Sequence, residues 1–407
     1  MELAIDTSLP VLPVETPAFS ADPDPFLAAA RAEHPWLARF SQGYVVHGYQ
    51  ACADMLADDR NMICGFGPII DYYGVRGTMW ARFMEEIVIS QYGPAHARLR
   101  AAVAHAFTPR RANQEREMMQ RVITELLDEW APRGQFDFAE FASYFPVTVM
   151  CGLLGVSAEP IPRMRTALEN QLTSLTLDPA AKPLFMAGWD VLWEFADSLV
   201  TERERVLDSG GQFDEDSLLD AIIAAKKKGD LDDDEARFMV LTVAVAGYDT
   251  SKNQLTMTMK LLLDRPDLYQ RCAEDVAFCR KVTEESLRHS AIATPYREAA
   301  QDFTYGDFRF RKGDTIVMAP PLANRDPAVF TAPSAFDPDR ENAGRNVAFG
   351  RGPHICIGQF IARNQLQEGL HLIARRLRNP RLAGEVEWRP FLGAWGLKHL
   401  PVAFDAA

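Results

Sequence analysis

The sequence is short of positive charge, and this shortage excludes several classes of partner. Lysine and arginine number 43 against 56 aspartate and glutamate residues, so the net charge is −13 at pH 7. An acidic surface repels phosphate backbones and anionic lipid headgroups, which argues against nucleic-acid binding and a membrane anchor. No apolar run approaches the roughly 18 residues that span a bilayer. The first residues also lack the basic and apolar regions of a signal peptide, so we expect a cytoplasmic protein.

Closely paired cysteines are also missing. The chain has six cysteines, none of them in a C-x-x-C pair, and they are spread over its whole length at Cys52, Cys64, Cys151, Cys272, Cys279 and Cys356. This spacing fits neither a disulfide framework nor a zinc ribbon. A glycine-rich nucleotide-binding motif and a fused flavin domain are absent as well.

Most of the sequence has a helical pattern. Apolar residues recur at spacings of three and four through most of the first 290 residues. From about Asp232 to Leu263 no proline interrupts this pattern, and Pro266 closes it. The middle of this segment is apolar on every side, which predicts a buried helix of roughly 45 Å.

The pattern changes after Thr294. Alternating residues and Gly-Asp pairs over 303–319 predict short antiparallel strands. An irregular stretch over 320–352 follows, before helix resumes near Ile357, and such long irregular stretches usually serve a function. We therefore expect a single domain over 1–407, mainly α with minor β.

The irregular stretch ends in a glycine-rich turn with one cysteine at the start of a helix. Gly350 and Gly352 allow tight folding of the backbone beside the Cys356 sulfur. Gly358 has no side chain, which leaves space where the following helix would meet a flat group. The positive helix end and nearby amide donors favour a thiolate. One thiolate without a second sulfur or an imidazole is wrong for tetrahedral zinc and suits haem iron. A buried structural cysteine is the alternative.

This turn fits every position of F-G-x-G-x-H-x-C-x-G and so resembles the haem-ligand signature of the cytochrome P450 family. The resemblance implies the cytochrome P450 fold, with a long central helix over the haem and small antiparallel sheet regions. It also implies haem b (iron protoporphyrin IX) as the cofactor, with Cys356 as its metal ligand. The other haem-binding residues implied around the ring are Phe349, Gly350, His354, Gly358, Ala246 and Gly247.

A second motif is Glu285-x-x-Arg288, one helical turn apart. Taken alone, such a pair is usually a solvated ion pair on a helix surface. In the family that this sequence resembles, the pair joins an arginine from the loop before the cysteine, and Arg340 fits that position. The resemblance therefore implies a structural triad of Glu285, Arg288 and Arg340 that pins the loop and holds Cys356 in register.

A third motif, from Ala246 to Thr250, lies in the middle of the long helix. Thr250 can hydrogen-bond to the Ala246 carbonyl and loosen or bend the helix, so a packing kink is one explanation. The resemblance implies instead a widened groove that admits dioxygen and water. It makes Thr250 and Asp249 the catalytic pair: Thr250 would stabilise the reacting oxygen and Asp249 would feed protons inward as part of general acid catalysis.

Haem carries two propionates, and buried anions need partners. His96 and Arg100 are four residues apart, on one helical face, and a surface ion pair is the alternative for these two. The resemblance adds Arg297 and His354 as propionate ligands. Family members often carry a further propionate-binding histidine where this sequence has Asn346, so we expect a weaker contact there.

The segment 61–92 is rich in apolar and aromatic residues, and family position places it over the distal face of the haem. As a set its side chains favour an apolar lid, although any one of them could belong to the core. No cluster of cations suits a carboxylate substrate, so we expect a neutral, mostly apolar molecule. The substrate pocket implied by family position comprises Ile69, Ile70, Tyr73, Val243, Ala246, Ile292, Ala293, Thr294 and Trp395.

Because no flavin domain is fused to the chain, electrons must come from a separate protein. Several arginines flank segments expected on the cysteine side of the haem and form a local exception to the acidic surface. Such a patch suits an acidic iron–sulfur ferredoxin, chiefly by raising the association rate. Its members are Arg98, Arg110, Arg111, Arg345, Arg351 and Arg363.

The favoured function is a haem-thiolate monooxygenase that inserts one oxygen atom of O2 into a C–H bond. A peroxygenase, or an enzyme that rearranges its substrate without external electrons, is the alternative within enzymes. A haem-binding sensor or carrier without turnover is the alternative outside them. The presence of both Asp249 and Thr250 argues against these alternatives, because the first two kinds of enzyme often lack such an acid–alcohol pair and a carrier has no need of proton delivery.

Overall fold

The structure is a computed structural model that describes residue 6 and residues 8–176, 178–214 and 216–406. The α-helices within these residues are α1 (Pro17–Ala21), α2 (Asp24–Glu33), α3 (Tyr49–Ala57), α4 (Gly67–Tyr73), α5 (Met79–Glu86), α6 (Gly93–Ala104), α7 (Pro109–Gln114), α8 (Arg116–Trp130), α9 (Phe138–Leu154), α10 (Ile161–Thr173), α11 (Ala181–Asp208), α12 (Leu218–Lys228), α13 (Asp233–Leu263), α14 (Pro266–Glu274), α15 (Val276–His289), α16 (Pro320–Ala323) and α17 (Gln359–Arg376).

Short strands lie between these helices. They are β1 (Leu37–Phe40), β2 (Gly43–Val46), β3 (Met62–Ile63), β4 (Gln135–Asp137), β5 (Ala293–Thr294), β6 (Tyr296–Ala299), β7 (Phe303–Tyr305), β8 (Phe308–Phe310), β9 (Thr315–Met318), β10 (Leu377–Leu382), β11 (Glu387–Trp388), β12 (Gly393–Ala394), β13 (Leu397–His399) and β14 (Pro401–Ala406). The predicted class, mainly α with minor β, is confirmed.

The strands form small sheets. The largest has the order β1-β2-β9-β6-β3, and the others are β10-β14-β4, β11-β13, β12-β5 and β7-β8. All pairs are antiparallel except β2 with β9, where Tyr44 lies opposite Ile316 in a parallel register. This exception to the expected antiparallel pattern joins strands that are far apart in sequence, so no tight turn dictates their direction.

The long buried helix is α13, as predicted. Its N-terminus is a capping box: the Asp232 carboxylate accepts a hydrogen bond from the Glu235 amide (2.7 Å), and the Glu235 carboxylate accepts one from the Asp232 amide (2.9 Å). The preceding helix ends at Gly229, whose positive φ of 81° suits a C-cap. Helices α9, α10, α11, α12, α15 and α17 pack around α13, so it forms the centre of the helical layer.

Two clusters of buried apolar side chains fill the interior. The larger cluster joins most of the helices, including α8, α9 and α13, and the smaller one lies beneath the five-stranded sheet and α3. The single domain over 1–407 stays a prediction. Among the described residues, no helix combines the length and hydropathy needed to cross a bilayer.

Two histidines, His47 fully buried and His289 half-buried, make the fold sensitive to acid. His47 is fully buried, and neither of its ring nitrogens has a hydrogen-bond partner in the part of the chain that the structure describes. Burial, reinforced by the charge of Arg31, lowers the pKa of His47 to about 3. Burial also lowers the pKa of His289 to about 3. Below pH 6.5 both histidine rings take up protons in the unfolded chain but not in the folded chain. The free energy of unfolding therefore falls as the pH drops from 6.5 toward 3.

We expect His47→Leu to reduce this acid sensitivity, because it removes one titrating group and no side-chain hydrogen bond. Between about pH 7.5 and about pH 5, each such histidine costs the wild-type protein about 2 kcal/mol of stability, and the variant should lose that much less. Urea unfolding at the two pH values, followed by circular dichroism, measures the difference. Equal losses in both proteins would contradict the assignment.

Candidate active site

The middle of α13 has an accessible face. Most of this helix is buried, but Val243, Ala246, Gly247 and Thr250 remain accessible. Their spacing of three, four and seven residues places them on one face. The Cys356 side chain is accessible too, and α17, which begins just after it, packs against α13. We infer that the sulfur and the accessible face of α13 border one cleft.

The backbone around the sulfur requires two glycines. Gly350 and Gly352 have φ values of 72° and 71°, a region that favours glycine. A Cβ atom on Gly352 would also lie 2.6 Å from the Cα atom of Ala57 in α3. The turn is closed by a hydrogen bond of 2.8 Å from the Cys356 amide to the Phe349 carbonyl. The predicted tight turn beside the sulfur is thus present.

That the protein itself favours a Cys356 thiolate stays a prediction, because the groups around the sulfur act in opposite directions. Although the side chain is accessible, the protein atoms packed around the sulfur raise the pKa of the Cys356 thiol, and this effect outweighs the Gly358 amide and the charges of Arg100 and Arg363, which lower it. A metal ion deprotonates a thiol that coordinates it. Haem iron on this sulfur would therefore hold it as a thiolate.

Four groups that can carry positive charge converge near the cysteine without an acidic partner. His96 and Arg100 lie one turn apart on α6, and the His96 ring packs on the His354 ring at a centroid distance of 4.2 Å. Arg297 is 8% exposed and donates only to the Tyr296 carbonyl. Within the described residues, no carboxylate pairs with any of these four groups.

Burial and mutual repulsion lower the pKa values of both histidines in this cluster. Burial, followed by the charge of Arg100, lowers the pKa of His96. Burial, His96 and the two arginines lower the pKa of His354 to about 4. The Nε2 atom of His354 is buried and has no hydrogen-bond partner among the described residues. Two buried carboxylates would satisfy these groups, so the cluster fits the propionates of a haem.

Asn346 does not join this cluster. Its side-chain amide donates to the Ala343 carbonyl (2.9 Å), and its side-chain oxygen accepts a hydrogen bond from the Ala348 amide (3.2 Å). Asn346 therefore stabilises its own turn, and the expected weak contact with a propionate stays a prediction. The four groups described above would hold the propionates without it.

The start of α17 leaves room for a flat group. A Cβ atom on Gly358 would meet no protein atom within 4 Å, although the φ of −81° would accept a side chain. Phe349 and Gly350 are partly accessible in the same turn. An open surface beside a cysteine sulfur, flanked by unpaired cations, fits a porphyrin ring with its iron on Cys356.

Buried charges hold the loop that carries the cysteine. Arg288 pairs with Glu285 at 2.6 Å, and both side chains are fully buried. Arg340 reaches the same carboxylate at 3.3 Å. The structure thus brings together the three residues that the sequence suggested. Their role in holding Cys356 in register stays a prediction.

The Asp249–Thr250 pair has a partner that the sequence did not reveal. The Thr250 hydroxyl donates to the Ala246 carbonyl at 2.7 Å. The Asp249 carboxylate is fully buried and accepts hydrogen bonds from Arg389 at 2.6 and 2.7 Å and from Asn253 at 3.1 Å. Arg389 lies just after β11, far along the chain, and no local motif marks it.

Comparison with known proteins agrees with this geometry. The family model described as cytochrome P450 matches residues 171–382. The luteothin monooxygenase of Streptomyces thioluteus is 35% identical over 404 residues, which cover 98% of this chain and 97% of that protein. The chain belongs to the cytochrome P450 family.

Two solved structures show the fold of this P450. Epothilone B-bound cytochrome P450epoK has a TM-score of 0.87 at 23% identity, with 97% of this chain and 99% of that one covered. P450BioI in complex with an acyl carrier protein carrying hexadec-9Z-enoic acid has a TM-score of 0.84 at 25% identity, with 95% and 100% covered. The protein is a haem monooxygenase that uses haem b, and its activity requires O2 and a redox partner.

The predicted substrate pocket of this P450 is only partly open to the cleft. Val243, Ala246 and Ala293 are accessible, whereas Ile69, Tyr73 and Ile292 are 3 to 6% exposed. Whether these six residues contact substrate stays a prediction.

Three members of that predicted pocket are packed in the interior, and their contact with substrate also stays a prediction. Ile70 is fully buried. Thr294 accepts a hydrogen bond from the Gly393 amide (2.7 Å) and so joins β5 to β12. The Trp395 indole donates to the Ser20 carbonyl (2.9 Å), and its ring stacks on Trp388.

The predicted basic patch divides into two groups. Arg98 pairs with Glu235, Arg363 pairs with Glu284, and Arg111 pairs with Glu115 and Asp216. The remaining three are exposed and have no carboxylate partner in the described part of the chain: Arg110, Arg345 and Arg351.

Two alanine substitutions test the fit of the haem. Gly352→Ala should destabilise the fold itself, because its Cβ atom overlaps α3. Gly358→Ala meets only open space, so it should leave the apoprotein as stable as wild type while it weakens haem binding. Thermal unfolding of the apoproteins and titration with hemin separate the two effects. Wild-type hemin affinity in Gly358→Ala would contradict the placement of the ring.

Proposed function

We propose that this P450 inserts one oxygen atom of O2 into a C–H bond of a neutral, mostly apolar organic molecule. A separate iron–sulfur ferredoxin, with its reductase, supplies the electrons, and the reaction takes place in the cytoplasm. The observation that carries the proposal is the accessible face of α13, where Thr250 is the one hydroxyl among Val243, Ala246 and Gly247. This face combines an apolar surface with a group able to hold a proton beside the reacting oxygen.

The side chains near the cleft support a neutral substrate. The two arginines of the lid segment that could bind a carboxylate are already neutralised. Arg76 pairs with Asp71 and Glu85, and Arg82 pairs with Glu86 and Asp234. The 35% identical relative is named for luteothin, and we extend from it only the general class of an organic small molecule.

The residues of the chain have separate tasks in this proposal. Bound haem would supply the activation of dioxygen, and the Cys356 sulfur would hold its iron. His96, Arg100, Arg297 and His354 would hold its propionates. The Thr250 hydroxyl, now turned toward the Ala246 carbonyl, rotates to hold a proton at the cleft.

Asp249 lies behind the open face of α13, where Arg389 binds both of its carboxylate oxygens. For a proton to pass from Asp249 to the cleft, the carboxylate must first leave Arg389. Arg389 therefore positions Asp249 in the resting protein, and the apolar side chains beside Thr250 limit other routes for water.

The three unpaired arginines support an acidic electron donor. Arg110, Arg345 and Arg351 are free to attract a negatively charged partner, whereas the paired arginines of the patch contribute little net charge. On a protein with a net charge of −13, an exposed positive region would orient an acidic ferredoxin toward the cysteine side of the haem.

Thr250→Ala should keep haem and substrate binding but divert reducing equivalents to hydrogen peroxide, because the proton at the cleft is lost. The ratio of product to NAD(P)H consumed, measured with a surrogate ferredoxin and reductase, reports this. Thr256→Ala is the matched control: its buried hydroxyl makes the same bond to a carbonyl four residues earlier, at 2.8 Å. Unchanged coupling in Thr250→Ala would remove Thr250 from the mechanism.

The double variant Arg110→Ala/Arg345→Ala should raise the KM for ferredoxin several-fold and leave kcat at saturation unchanged, because steering acts on association. The wild-type rate at limiting ferredoxin should also fall with added salt more steeply than that of the variant. Arg378→Ala is the control: Arg378 is exposed, and it follows the far end of α17. A KM equal to wild type in the double variant would contradict the docking surface.

A further inference from the structure

The hydroxyl of Tyr92 accepts a hydrogen bond but donates none within the described part of the chain. Tyr92 is partly buried and directly precedes the first residue of α6. Its hydroxyl oxygen accepts the amide hydrogen of Cys64, just after β3. Burial raises the pKa of Tyr92, so the hydroxyl keeps its proton at physiological pH. The O–H group can therefore donate to an acceptor that the chain does not supply.

The bond to the Cys64 amide places the Tyr92 hydroxyl beside Arg297. Strands β3 and β6 pair in an antiparallel register in which Ile63 lies opposite Glu298. The next pair along this register is Cys64 and Arg297. Burial raises the pKa of the Cys64 thiol and of Tyr92, and in both cases the charge of Arg297 opposes that rise. The guanidinium group of Arg297 is thus close to both residues.

The ring of Tyr92 lies against the histidines of the same site. The ring centroids of Tyr92 and His354 are 5.4 Å apart, and His354 in turn packs on His96 at 4.2 Å. The Nε2 atom of His354 is buried and also lacks a hydrogen-bond partner among the described residues. Tyr92 therefore extends from Arg297 to the two histidines, and the geometry of the site fits all three of these groups to the haem propionates.

The carboxylates near Tyr92 do not take its proton donor. Glu298 and Asp59 act on Tyr92 through their charge alone, and neither accepts a hydrogen bond from its hydroxyl. Solvent is the other available acceptor, because part of the Tyr92 surface is exposed. A position between Arg297 and His354 favours an anionic acceptor, because hydrogen bonds to a carboxylate are stronger than those to a neutral group.

We propose that Tyr92 is a further haem-binding residue, whose hydroxyl donates a hydrogen bond to one of the haem propionates. The Cys64 amide fixes the position of the hydroxyl oxygen, so the bond links β3 and the start of α6 to the cofactor. The inference concerns the cofactor alone and does not depend on the substrate or the electron donor of the proposed function.

Transfer of haem from the purified holoenzyme to excess apomyoglobin tests the inference. Tyr92→Phe keeps a ring against His354 but loses the donor, so haem should leave about tenfold faster, as expected for one lost hydrogen bond to a charged group. Tyr44→Phe is the matched control. The buried Tyr44 hydroxyl also accepts a backbone amide, that of Asp6 at 3.3 Å, and its ring packs on Phe308 in the smaller apolar cluster. This control should lose haem at the wild-type rate.

The propionate bending mode in the resonance Raman spectrum separates a direct bond from a structural effect. The mode should shift in the Tyr92→Phe holoenzyme and stay in place in Tyr44→Phe. A wild-type rate of haem loss in Tyr92→Phe would overturn the inference. Faster loss with an unchanged propionate mode would show that the hydroxyl serves only the Cys64 amide or solvent, and would overturn it as well.

A Tyr92→Phe protein that retains no haem during purification calls for a matched pair of ligands. Hemin and iron etioporphyrin, which has alkyl groups in place of the propionates, are then titrated into the wild-type and variant apoproteins. Weaker binding of hemin alone supports the inference, and an equal loss of affinity for both porphyrins overturns it. No substrate enters these measurements, so their failure would leave the proposed function in place.

Discussion

Two buried arginines donate hydrogen bonds to carbonyl groups of the long irregular stretch that precedes the cysteine. The chain from 320 to 352 has little regular structure, so most of its carbonyl groups cannot find partners in a helix or sheet. Arg288 donates to the carbonyls of Asn324 and Ala335, and Arg340 donates to those of Thr331 and Ala332. The Glu285 carboxylate pairs with both guanidinium groups. Removing one partner would leave buried charge uncompensated, which costs about 3 to 5 kcal/mol. We therefore expect this network to hold the path of the loop that ends at Cys356.

Near Cys356, at the end of that loop, the described residues leave positive charge without a paired carboxylate. Among the described residues, no carboxylate pairs with His96, Arg100, Arg297 or His354, and the protein around the sulfur raises the pKa of the Cys356 thiol. The propionates would neutralise the first set of groups, and the iron would deprotonate the sulfur. We therefore expect cofactor binding to complete the charge balance around the cysteine, and the loop triad to hold the same residue in place.

The sequence predicted those parts of the structure that depend on local signals. The span of α13 follows from its capping residues and Pro266, and the cysteine turn follows from glycines that the backbone requires. Arg389 was missed because its contact with Asp249 joins distant parts of the chain. The pairing of Arg98 with Glu235 and of Arg363 with Glu284, the parallel register of β2 with β9, and the burial of Trp395 likewise arise from tertiary packing, which residue spacing does not encode.

The central claim is that the Cys356 sulfur binds haem iron as a thiolate, and the carbon monoxide complex of the reduced protein tests it most directly. The purified protein is reduced with dithionite, exposed to carbon monoxide and measured by difference spectroscopy. The account predicts the strongly red-shifted Soret band of a thiolate-ligated haem. A Soret band at the position typical of histidine-ligated haem, or a colourless protein that binds no porphyrin, would contradict it.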